Sequence, residues 1–134
     1  LFDNKPRSRE VVWIMQAQRA ARGLASLYAQ ANQIDLKAAM AMQVARTPNG
    51  WMSPDLPLLG FEQSLYLRQV GYGPSYITGK AQIEQLFAEV AEQERAGLPG
   101  GTFTVKGFYD RLGGFGMIPV SLIREQWLGV PVGQ

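Results

Sequence analysis

Proline, glycine and asparagine clusters cut this chain into six segments, and within each segment apolar residues recur at three- and four-residue steps. That spacing puts apolar side chains along one side of a helix, whereas a half-buried strand needs strict alternation. The pattern predicts an all-α fold of about six helices in an irregular helical array. The first helix runs from Ser8 to about Ala31, with Val11, Val12, Met15, Ala20, Leu24, Leu27 and Tyr28 as its apolar face, and Asn32-Gln33 ends it. Asp35 caps a second helix through about Ala45, lined by Leu36, Ala39, Met40 and Met42. Thr47-Pro48-Asn49-Gly50 stops it and opens a loop with Trp51. Ser53-Pro54-Asp55 reads as the cap and first turn of a third helix, with Pro57 leaving its start open; it reaches about Val70 and carries Leu58, Leu59, Phe61, Leu65, Tyr66 and Leu67.

A break at Gly71-Tyr72-Gly73-Pro74 leads into a fourth helix, about Ser75 to Arg95, lined by Ile77, Ile83, Leu86, Phe87 and Val90. Gly79 inside it costs about 1 kcal/mol relative to alanine, which points to a close helix crossing or ligand approach there. Gly97-Leu98-Pro99-Gly100-Gly101 reads as a flexible connector near 97–102. Thr104 caps a fifth helix through Leu112, ended by Gly113-Gly114, and Pro119 opens a last one to Leu128, ended by Gly129. Thr102-Phe103-Thr104-Val105 is the single strand candidate, and a lone strand has no partner.

With 134 residues, 46% of them apolar, the chain is expected to form a single helical unit around one core. No apolar run approaches the roughly 18 residues of a membrane span. Leu1-Phe2-Asp3-Asn4-Lys5-Pro6 departs from the basic-then-apolar order of a secretory leader, and a start at Leu-Phe-Asp reads as the interior of a longer polypeptide. The absence of both His and Cys excludes Ser-His-Asp and Cys-His nucleophile systems within the chain, together with zinc sites built from nitrogen or sulfur ligands. Only carboxylates remain for a metal, and Glu84, Glu89, Glu92 and Glu94 read as the solvated face of a helix, so no metal site is expected here.

The net charge of +2 is uneven: residues 1 to 50 carry seven basic groups against three acidic ones. A basic first half attracts anions, but Arg19 and Arg22, at i and i+3 of an otherwise apolar helix, read as partly buried ion-pair partners rather than phosphate clamps. Glu62 is expected to pair with one of them. The stretch Gly71-Tyr72-Gly73-Pro74-Ser75-Tyr76-Ile77-Thr78-Gly79-Lys80 is the strongest candidate for chemistry. Its glycines, Gly73 included, allow close backbone approach, and the phenols of Tyr72 and Tyr76, four residues apart, can enter one cleft as hydrogen-bond donors. The competing interpretation is a packed helix corner.

The runs Arg19-Ala20-Ala21-Arg22-Gly23-Leu24, Phe61-Glu62-Gln63-Ser64-Leu65-Tyr66-Leu67-Arg68-Gln69, the Gly-Tyr-Gly-Pro-Ser-Tyr segment, Phe108-Tyr109-Asp110 and Gly116-Met117-Ile118-Pro119-Val120 together resemble the C-terminal end of one bacterial family. It is called domain of unknown function 885, whose members look like gluzincin-type zinc peptidases. The resemblance covers nearly all of this chain but only the end of such a protein. It implies a zinc site, a His-Glu-x-x-His helix plus a downstream Glu, on the upstream part, so zinc belongs to the complete protein. It implies for this chain a substrate-side wall, with Tyr72 and Tyr76 as catalytic donors to the tetrahedral intermediate and Arg68, Gly73 and Lys80 as substrate contacts. Arg68 or Lys80 would then bind a substrate carboxylate. The implied partners are the upstream part of the same protein or another chain, and a peptide substrate; neither membrane nor nucleic acid is favoured, and export to the periplasm is compatible with the resemblance. The second expectation, from a different class, is a self-contained helical binding module that recognises a peptide, an anion or nucleic acid.

Overall fold

Local capping chemistry sets two of the helix starts. The Asp35 carboxylate accepts from the Ala38 amide at 2.7 Å, and the Thr104 hydroxyl accepts from the Gly107 amide at 3.0 Å, each satisfying a donor the first turn cannot pair internally. The computed structural model describes residues 5–97 and 103–131. Among them lie α1 (Ser8–Gln30), α2 (Leu36–Arg46), a short 3₁₀ turn (Pro48–Gly50), α3 (Pro57–Arg68), α4 (Tyr72–Gly97), α5 (Val105–Gly114) and α6 (Val120–Leu128). The fold is all-α, and no strand occurs among the described residues. Thr104 of the strand candidate is instead a helix cap, Phe103 packs among aromatic rings, and Thr102 lies outside the described residues, as do 98–101 of the expected connector.

Two boundaries differ from the sequence expectation for physical reasons. Ser53 does not cap α3; its hydroxyl accepts from the Asp55 amide two residues on, closing a local turn, while Pro57, which lacks an N–H, takes the first helical position. The chain break before α4 sits at Gly71, which has a left-handed φ of 82°, rather than across Gly73-Pro74. Pro74 fits inside the first turn because its missing N–H would be unpaired there anyway. Hence α3 stops at Arg68, and α4 begins at Tyr72.

The chain divides into two compact units, Leu1–Thr78 and Gly79–Gln134, where the sequence pattern suggests one. In the first, α1 packs on α2 and α3 through small residues: Ala21, Ala25 and Ala29 recur every fourth position, with Gly23 and Ser26 beside them and Ala39 facing from α2. The apolar face expected of α1 is therefore not the buried one. Val11, Val12, Met15, Ala20, Leu27 and Tyr28 are exposed, and Leu24 is half-buried. Close helix approach selects side chains without bulk, and the larger apolar residues are left outside. On α3 the buried stripe is Leu59, Gln63 and Tyr66, while Leu58, Phe61 and Leu67 are exposed. The first turn of α4 also meets α1 closely: a Cβ on Gly73 would lie 2.9 Å from the Ser26 side chain, and one on Gly23 would lie 3.3 Å from the Gly73 carbonyl oxygen. A close crossing is thus found at Gly73; at Gly79, where the sequence points to a close crossing or a ligand approach, a Cβ would have no described neighbour within 4 Å.

The second unit has a larger core. Leu86, Val90, Phe108, Ile123 and Trp127 are buried together, with Phe87, Phe103 and Phe115 packed against them. Phe87 meets Phe108 edge-on at 4.9 Å, Phe108 stacks on Trp127 at 5.2 Å, and the Arg111 guanidinium covers the Trp127 ring at 4.4 Å. Arg124 of α6 donates to Glu89 of α4 at 2.6 Å. That hydrogen bond, with a second from Gln85, holds the Glu89 carboxyl below its ordinary value against the opposing effect of burial.

Candidate functional site

Three helices of the first unit converge polar side chains at one place. Turn by turn, α1 supplies Arg19 and Arg22, α3 supplies Glu62 and Tyr66, and α4 supplies Tyr72 and Tyr76, each pair at helical spacing. Arg22 donates to Glu62 at 2.7 Å and to the Tyr66 hydroxyl at 3.2 Å. The ion pair expected of Glu62 is therefore present, with Arg22 as its partner, and both side chains are largely buried. The second Glu62 oxygen accepts from Gln43 at 3.4 Å, and Gln43 accepts from Gln63 at 2.8 Å. Burial alone would lower the Arg22 pKa, but the Glu62 charge and the Tyr66 hydroxyl raise it above its ordinary value. Burial pushes the Tyr66 phenol up, against the pull of Arg22.

Tyr66 carries this network out to the pair the sequence singled out. Its ring stacks on Tyr72 at 5.7 Å, and Tyr72 meets Tyr76 edge-on at 5.6 Å. The two hydroxyls lie 2.9 Å apart, and the residues are 39% and 42% exposed. The hydrogen bond with Tyr76 raises the Tyr72 phenol above its ordinary value, so it stays protonated at neutral pH. Two phenols sharing one hydrogen bond use one proton between them, which leaves the second proton free to donate outward. The Arg19 guanidinium sits 5.1 Å from the Tyr76 ring centre.

The other sequence candidates lie elsewhere. Gly73 is buried against Ser26 of α1, at the helix crossing. Arg68 is exposed and, two positions after Tyr66, points to a different side of α3, where it lines a shallow groove with Gly60, Phe61, Ser64 and Leu65. Lys80 pairs with Glu84 on an exposed stretch of α4. Tyr66, Gln43 and Gln63 are the members that sequence reasoning missed. For Gln63 and Tyr66 the signal is their spacing with Glu62 on α3, a helix otherwise rich in apolar residues; Gln43 lies on α2 and has no such signal.

A zinc ion does not fit these residues. The cluster's one carboxylate, Glu62, is already committed to Arg22 and Gln43, and no group of three acidic, His or Cys side chains is gathered anywhere among the described residues. Among the described residues no helix is long and apolar enough to cross a membrane. No family model, no curated protein and no solved structure matches this chain.

Proposed function

We propose that this chain forms the substrate-facing wall of a zinc-dependent peptidase whose metal ligands lie outside these 134 residues. The supporting observation is the Tyr72 and Tyr76 hydroxyl pair, 2.9 Å apart and open to solvent on the first turns of α4. Tyr66 backs the pair on one side, and the Arg22–Glu62 ion pair fixes Tyr66 in turn. Donors held this way need no reorganisation when negative charge develops on a substrate carbonyl oxygen, so they stabilise the transition state more than the ground state. The exposed apolar side chains of α1 and α3, among them Trp13 at 73% and Phe61 at 67%, support a covering partner, either the upstream part of the same protein or another chain.

The test is made in the complete protein. Tyr72→Phe and Tyr76→Phe each remove one hydroxyl, and loss of a preorganised donor lowers kcat by about 10²–10³ with KM nearly unchanged. Tyr76 is the stronger candidate of the two, because it lies a full turn inside the helix. If both variants retain wild-type turnover on a good peptide substrate, the tyrosines are corner packing and the proposal fails.

A further inference from the structure

We infer that the ligand of this site carries a carboxylate, bound by Arg19 beside the Tyr72 and Tyr76 hydroxyls. The inference rests on the same tyrosine cluster facing the substrate, and it names the chemical class that the cluster selects.

The two arginines of α1 differ in what surrounds them. Arg22 is neutralised by Glu62 and further held by Tyr66. Arg19, one turn away, has no carboxylate partner among the described residues, and its only described contact of this kind is with the face of Tyr76. The charges of Arg19, Arg22 and Glu62 therefore leave one positive charge at the cluster, and one carboxylate balances it. A guanidinium packed beside a ring still has in-plane N–H groups for the parallel bonds that a carboxylate accepts. The Tyr76 ring beneath Arg19 holds the guanidinium at this place, while the one free phenolic proton of the tyrosine pair stays with the substrate carbonyl. Arg19 of α1 thus meets Tyr76 of α4, and the Gly23 and Gly73 approach is what brings those helices together.

Two sources of a carboxylate fit, a peptide C-terminus and an acidic side chain, and matched probes separate them. Binding of acetyl-Ala-Ala, its C-terminal amide, and acetyl-Glu-amide to the complete protein is measured by calorimetry at low salt, beside inorganic phosphate. Acetyl-Ala-Ala is expected to bind about 10- to 100-fold tighter than its amide, the scale of a charge-assisted hydrogen-bonded pair. Arg19→Gln is expected to remove that preference, whereas Arg19→Lys keeps part of it. Acetyl-Glu-amide binding as tightly, with the same dependence on Arg19, assigns the carboxylate to a side chain; weak binding assigns it to the C-terminus. Equal affinity for acid and amide, a preference that survives Arg19→Gln, or phosphate binding tighter than either acid overturns the inference. Should Arg19→Gln fail to fold, Arg19→Lys must reduce the acid preference, or the inference fails. Acid-selective binding without peptide hydrolysis would refute the peptidase proposal and leave this inference standing, while hydrolysis without acid selectivity would do the reverse.

Discussion

Removing Glu62 tests the internal support of the site directly. The Arg22 and Glu62 side chains are 20% and 15% exposed and meet at 2.7 Å, so Glu62→Ala leaves a guanidinium in a place where water reaches it poorly. It also takes the acceptor from Gln43, which is fully buried. Breaking a fully buried ion pair on one side costs about 3–5 kcal/mol, and residual solvent access of roughly a fifth brings the expectation to about 2–3 kcal/mol. Urea denaturation followed by far-ultraviolet circular dichroism measures it. In an Arg22→Met background the same Glu62→Ala change should cost at most about 1 kcal/mol, because the orphaned charge is gone. A loss near 0.5 kcal/mol, the scale of exposed surface pairs, or strict additivity of the two changes, would refute the support role assigned to this pair.

Two glycines on α4 should respond in opposite directions to the same change. Gly73→Ala forces a methyl to within 2.9 Å of Ser26 and is expected to destabilise by about 1–3 kcal/mol, whereas Gly79→Ala meets nothing within 4 Å and should stabilise by up to about 1 kcal/mol; thermal melts of the two variants decide it. The lowered Glu89 pKa makes the Arg124 contact pH-dependent. Because the folded-state value lies below the unfolded one, the stabilisation is fully present above the unfolded value near 4.5 and is lost as pH falls through the folded value. Glu89→Gln should flatten that acid-side slope of stability against pH, and an unchanged slope would exclude Glu89 as its source.

The parts of this fold that sequence conveys are those settled within one turn of chain. Asp35, Thr104 and Gly129 act on amides and carbonyls three or four residues away, so their signals survive without knowledge of any neighbour. Which face of α1 is buried is a different matter. Large apolar side chains dominate a pattern, yet α2, α3 and the first turn of α4 approach through Ala21, Gly23, Ala25 and Ser26, and nothing local to α1 announces that approach. The site divides along the same line. Tyr72 and Tyr76 are legible as a pair because four residues of helix bring their hydroxyls together. Arg22 and Tyr66 are 44 residues apart, and their meeting depends on how closely α1 and α3 pack. Small residues on α1 thus do two things at once: they build the first core, and they draw Arg19 and Arg22 up to the tyrosines. A bulkier residue at Gly23 would push back the carbonyl of Gly73 and with it the first turn that carries Tyr72, so the packing of this helix pair and the chemistry of the cluster cannot be altered independently.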